Sequence, residues 1–223
     1  MRGESAGPAE LSRVVERRVT ERGELALRRS GGHFEIVSNG VFLMDTRAGE
    51  SERLLARAAL DGRDGPCRVL IGGLGVGFTV AEALRHPACG EVTVVEIEPA
   101  VLDWQRRHLA PVAGHPLDDP RVVVVRADLL GWLAEGTDRY DVVCLDIDNG
   151  PQWTVMDSNS ALYGDSGLQL VAGRLAGAGT VAVWSAAADA DFAASLSRRF
   201  GDLRTLRVPV ARGEPDVVYL AGG

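Results

Sequence analysis

Lysine is absent from this 223-residue chain; all 24 Lys/Arg positions are arginine. We read that as coding bias and not as a binding signal. The 31 acidic residues outnumber the arginines and leave a formal net charge of −7. Phosphate binding needs clustered positive charge, so a nucleic-acid surface is excluded. Cysteine is scarce: Cys67, Cys89 and Cys144 are odd in number and match no metal spacing. This argues against a disulfide framework and fits buried, reduced thiols in a cytoplasmic protein. His33, His86, His108 and His115 show no ligand spacing either, and no metal is expected. No apolar run is long enough to span a bilayer, and no N-terminal segment resembles a signal peptide. With 46% hydrophobic residues, the chain suits one well-cored domain with a small appendage.

Residues 1–22 are polar and read as a chain terminus with a short helix. Three β-like pieces follow, "ELALRRS", "HFEIVSN" and "VFLMDTR", divided by the turn signals Gly31-Gly32 and Asn39-Gly40. They predict a small antiparallel meander. "ESERLLARAAL" reads as a helix with Leu54, Leu55 and Ala58 on one face. From Cys67 onward, apolar strand runs such as "CRVLIGG", "EVTVVEI", "RVVVVRAD", "YDVVCLDI" and "GTVAVWSA" alternate with helical segments. Near-continuous apolar runs are expected of strands buried on both faces. The pattern predicts an α/β fold: a mainly parallel seven-stranded sheet with helices on both faces. "LRTLRVPV" and "DVVYLAG" close it as a hairpin. We divide the chain into an appendage, residues 1–60, and an α/β domain, residues 61–223.

Ligands of open α/β sheets bind outside the carboxyl ends of the strands, so strand ends carry the functional reading. After the first long strand stands "GGLGVGF", with Gly73, Gly75 and Gly77. A dinucleotide fingerprint wants a small residue three after Gly75; Phe78 stands there, which disfavours a pyrophosphate loop. Glu96 ends the next strand, at the interval where an acid meets ribose hydroxyls. Asp128 ends the third; it suits either an adenine amino group or the cap of the following helix. "YDVVCLDIDNGPQW" ends the fourth with Asp146 and Asp148. Asp146 stands at the central crevice in register with the glycine loop, which suits a functional carboxylate; the alternative is a cap of loop amides. Asp148 suits the same site or an Asx turn. Asn149, Trp153 and Tyr163 are candidate acceptor contacts, and Trp184 reads more readily as core.

The run from about Val41 to Trp184 resembles the spermidine/spermine synthase family of the class I S-adenosylmethionine (SAM) transferase superfamily. "VLIGGLGVGFTVAEAL" looks like the family's glycine loop and "VVEIEPAVLDW" like its ribose strand. "DDPRVVVVRADLLGWL" looks like its adenine strand and "YDVVCLDIDNGP" like its catalytic strand. The resemblance implies a Rossmann-like SAM-methyltransferase fold, SAM or decarboxylated SAM as donor, and a homodimer. It implies that Gly73, Gly75, Gly77, Glu96, Asp128 and Asp146 contact the donor, with Asp146 and Asp148 catalytic.

Three departures stand out. Val76 replaces the family's glycine-loop aspartate, which faces the amine of decarboxylated SAM. Without that acid, repulsion of the carboxylate of intact SAM is relieved. Glu50, Ser51, Glu52 and Arg53 replace an aromatic-His-Glu run, and D-x-D replaces D-x-x-D. These departures favour methyl transfer from SAM to an amine or other nucleophile. The alternatives are aminopropyl transfer to a polyamine, aminocarboxypropyl transfer, and a non-catalytic binding subunit. The expected acceptor is a small molecule, with a cationic amine suiting the acidic chain.

Overall fold

The structure, a computed structural model, describes residues 12–154, 157–211 and 213–222. Four strands come first: β1 (Arg13–Thr20), β2 (Gly23–Ser30), β3 (His33–Ser38) and β4 (Val41–Asp45). They pair antiparallel in chain order. The helix expected in residues 1–22 is corrected to strand β1 over Arg13–Thr20; residues 1–11 lie outside the described residues. The reason is visible in β1 itself. It is exposed along nearly its whole length, so no buried face imposes an apolar alternation on its sequence.

The larger unit begins with α1 (Glu50–Leu60), β5 (Cys67–Gly72), α2 (Phe78–Arg85) and β6 (Cys89–Glu96). Next, α3 (Pro99–Trp104) passes through a π-type turn, Gln105–Leu109, into α4 (Ala110–Ala113). Then come β7 (Val122–Arg126), α5 (Leu129–Glu135), β8 (Tyr140–Leu145), α6 (Ser160–Tyr163), α7 (Asp165–Arg174) and β9 (Leu175–Ser185). The last elements are α8 (Ala190–Phe200), β10 (Leu203–Val208) and β11 (Asp216–Gly222). β9 starts at Leu175, ahead of the Gly179 expected from "GTVAVWSA". The sheet order is β10-β11-β9-β8-β5-β6-β7. β7, β6, β5, β8 and β9 run parallel, and β11 is antiparallel to both its neighbours. Among the described residues no helix is long and apolar enough to cross a membrane.

The period-2 geometry of a strand explains the apolar runs. In β5, Val69 and Ile71 face one core cluster and Leu70 the other; in β8, Val142 and Cys144 oppose Val143 and Leu145. The first cluster is completed by α1, α2 and α3, the second by α5, α6, α7 and α8. Each fully buried Val, Leu or Ile contributes roughly 1.5–3 kcal/mol. All three cysteines are buried and unpaired by disulfides. A third cluster joins the meander to this unit: Leu25, Leu27 and Ile36 pack with Val76, Phe78 and Trp104. An ion pair from Arg22 Nε to Glu98 Oε1, 2.9 Å, holds the meander beside the end of β6. α1 packs on α2 and β9, so the helix at the end of the sequence-defined appendage lies against the α/β unit.

Candidate active site

β5 lies between β6 and β8, where the strand order reverses, and loops leaving it diverge to open a crevice. A cavity of about 1090 Å³ occupies that place. Across the strand ends it meets Asp128 after β7, Glu96 at β6, Gly73 and Gly75 after β5, Asp146 and Asp148 after β8, and Trp184 at β9.

The glycine loop turns sharply because its backbone must. Gly73 sits at φ 86°, and a Cβ there would stand 2.2 Å from the Asp146 carbonyl oxygen. Gly77 is placed differently from the expectation. It does not line the cavity; it begins α2 and packs against Gln105, whose Nε2 donates to the Val76 carbonyl at 2.6 Å. Phe78 fills the first turn of α2 under the Arg53 guanidinium, 4.1 Å from the ring centroid. The ring is buried in the meander cluster, so the position that a dinucleotide loop keeps small for close helix–strand packing is filled here.

Glu96 is buried at the cavity wall. Its Oε1 accepts the Glu98 N–H at 2.7 Å and its Oε2 accepts the Leu74 N–H at 2.9 Å. Burial raises its pKa, and these amide bonds oppose the rise. Each oxygen keeps a second lone pair, so hydroxyls can still bind. Asp128 caps α5: its Oδ1 accepts the Gly131 N–H at 2.9 Å while the residue lines the cavity. Cap and ligand roles are therefore compatible. Asp128→Asn keeps a cap acceptor, so stability should hold, and under the adenine-contact role that the resemblance implies donor affinity should fall; Asp128→Ala should also lose about 1 kcal/mol of stability. Unchanged donor affinity in Asp128→Asn, read by calorimetric titration, would remove the ligand role.

Asp146 follows β8 and opens onto the cavity. Its Oδ2 accepts the Thr79 hydroxyl at 2.6 Å. Burial pushes its pKa up to about 7, and the nearby Glu52 carboxylate adds to the rise. Asp148 adopts φ 63°, a conformation that Asp tolerates better than most residues. Its Oδ1 accepts the Asn149 N–H at 3.1 Å and its Oδ2 the Asn159 side-chain N–H at 2.9 Å. It shapes the turn and also faces the cavity. Asn149 is buried against the cavity, and Trp153 stands exposed at its rim. Tyr163 is corrected: it does not line the cavity. Its hydroxyl donates to the Ile147 carbonyl at 2.5 Å and its ring packs edge-on against Phe192. Trp184, read as core, lines the cavity. Val76 is also placed differently from what its role in donor choice requires. Its side chain is wholly buried in the meander cluster and does not line the cavity.

Asp216 escapes sequence reading, and Ser51 and Glu52, noted there only as replacing an aromatic-His-Glu run, line the cavity with it. Ser51 and Glu52 open α1, and Asp216 opens β11. β11 runs antiparallel to its parallel neighbours, so its first residue lies at their carboxyl ends. An acid at the first position of a closing antiparallel strand is the available signal. Among the described residues no His/Cys/Asp/Glu group could hold a metal.

The chain resembles polyamine aminopropyltransferases from Korarchaeum cryptofilum, 36% identical over 38% of this chain, and Pseudomonas aeruginosa, number 2, 33% identical over 58%. These matches span 26% and 36% of the relatives' own length. Among solved structures, spermidine synthase bound to the transition-state analogue AdoDATO superposes with a TM-score of 0.80 at 18% identity, covering 95% of this chain and 74% of that one. Human methyltransferase-like protein 13 with SAH gives 0.57 at 22% identity, covering 78% of each chain. At such identities these structures speak for the Rossmann-like fold alone. The model of the spermine/spermidine synthase domain matches residues 50–175. Because that match takes in more than half of its length, the chain belongs to the spermine/spermidine synthase family.

Proposed function

We propose that the protein transfers an aminopropyl group from decarboxylated SAM to a small cationic amine. The observation that carries this reading is the acidic end of the cavity, where Asp146, Glu52 and Asp216 line one wall. An ammonium group suits those surroundings, whereas the carboxylate of intact SAM would be repelled in a shielded site. Val76 lies outside the cavity, so its lack of charge does not offset that repulsion. The relatives' names point to the same chemistry. Methyl transfer, which the substitution at Val76 favoured when read alone, loses its main support.

In this reading Gly73 and Gly75 leave room for the donor, Glu96 takes ribose hydroxyls and Asp128 the adenine amino group. The donor supplies an electrophilic carbon beside its sulfonium. Asp146 orients the acceptor amine and takes its proton; a base with a pKa near the working pH is suited to that task. Displacement at carbon is governed largely by placement of the two reactants, which the strand-end positions provide.

Incubation with each donor and a set of amines, followed by mass spectrometry of the nucleoside product, tests the proposal. Methylthioadenosine and an aminopropylated amine are expected from decarboxylated SAM. S-adenosylhomocysteine from intact SAM, with the decarboxylated donor inert, would establish methyl transfer instead.

A further inference from the structure

The Ser51 hydroxyl oxygen lies 2.9 Å from Glu52 Oε2 and 2.7 Å from Asp216 Oδ2. A serine hydroxyl has one proton to donate. It can satisfy one of these carboxylates; the other contact needs a proton on the carboxyl itself. The group therefore holds one more proton than two free carboxylates would. Glu52 is its natural site, because Glu52 is buried whereas Asp216 is half-buried. Burial raises both carboxyls. For Glu52, the charge of Asp216 adds to the rise and the Arg53 guanidinium opposes it; a Ser51 hydroxyl donating to Glu52 also opposes it, whereas one donating to Asp216 and accepting from Glu52 favours the neutral carboxyl. Asp146, in turn, faces Glu52 from α1, Glu96 from β6 and the Thr79 hydroxyl from α2.

We infer that Asp216 is a positioning residue for the base: through Ser51 it keeps a proton on Glu52, and the neutral Glu52 leaves Asp146 free to ionise. The hydrogen bonds then run in one direction, with the Glu52 carboxyl donating to Ser51 and Ser51 donating to Asp216. This inference rests on Asp146 acting as the base of the proposed transfer. Asp216 lies on the last strand, and its link to Asp146 passes through the Ser51–Glu52 pair.

The two acids have different predicted effects on the base. Glu52→Gln exchanges one neutral group for another beside Asp146, so the acidic limb of the kcat/KM–pH profile should stay near its wild-type position. Asp216→Asn removes the charge that holds the proton on Glu52; Glu52 ionises, and the limb should move to higher pH. Shifts of about one pH unit are expected for neighbouring charges. Ser51→Ala should repeat the Asp216→Asn shift, while Ser51→Thr, which keeps the hydroxyl, should restore the wild-type profile. A purely structural role for Asp216 would lower activity without moving the limb.

The ligand-free protein provides a second readout. At neutral pH the infrared spectrum of Asp146→Asn, which lacks the Asp146 carboxyl, should contain a protonated-carboxyl band that is lost when Glu52→Gln is added. Absence of that band, a limb that moves to lower pH in Glu52→Gln, or one that does not move in Asp216→Asn, would overturn the inference. The band present in a protein that transfers no group to any amine would instead sink the transferase reading and leave the shared proton standing.

Discussion

Asp146→Asn should lower turnover by roughly 10²–10⁴-fold, the usual contribution of a positioned general base, with little change in donor affinity. The amide keeps an oxygen for the Thr79 hydroxyl, so the loop should hold its shape. It has lost the capacity to take a proton. In the wild type, activity should fall as pH drops through about 7, where the Asp146 carboxylate becomes protonated. The stability effect has the opposite sign. A carboxyl whose pKa rises on folding binds its proton more tightly in the folded chain. The stability it contributes is full below its unfolded value, near 3.8, and is lost as pH rises through about 7. Asp146→Asn never ionises, so above that pH the variant should be the more stable protein. Steady-state kinetics with a parallel denaturation series would check both signs; wild-type turnover in the variant would remove Asp146 as the base.

Gly73→Ala should be as damaging by a different route. The added Cβ meets the Asp146 carbonyl at 2.2 Å, and the φ of 86° is itself unfavourable for alanine. Neither partner can yield cheaply, because the contact is with backbone at the end of the buried strand β8. A loss of roughly 2–4 kcal/mol is expected from strain and displacement together. The displaced group would be the Asp146 backbone, so both donor binding and catalysis should fail. Urea denaturation at constant m-value is the measurement. A midpoint unchanged from wild type would mean that the glycine loop is not held against β8.

The alternation of strand and helix from Cys67 onward was legible because each long strand is buried on both faces, which leaves nearly uninterrupted apolar runs between turn residues. The glycine loop, Glu96, Asp128 and Asp146 were legible for a topological reason: parallel strands place their carboxyl ends together. β1 was not, since an exposed edge strand needs no apolar face. Nor was the direction of a loop side chain. Val76 sits in the irregular glycine loop and Tyr163 ends the four-residue helix α6, and neither segment has a period long enough to assign a residue to the cavity or the core. Ser51, Glu52 and Asp216 come together across 165 residues of chain between the Ser51 and Asp216 partners. Only the antiparallel reversal at β11 makes them neighbours.

That reversal has a consequence for how the protein can diversify. Glu96 and Asp128 belong to β6 and β7, one side of the β5 switch point, whereas Asp146, Trp184 and Asp216 belong to the other. The closing β10–β11 loop, which includes Val210 and Glu214, borders the same far side. Under the proposed function, substitutions there would retool the acceptor pocket while the residues assigned to the nucleoside stay intact. Acceptor range would then be the trait free to drift among descendants of this chain, and grafted β10–β11 loops the place to begin redirecting it.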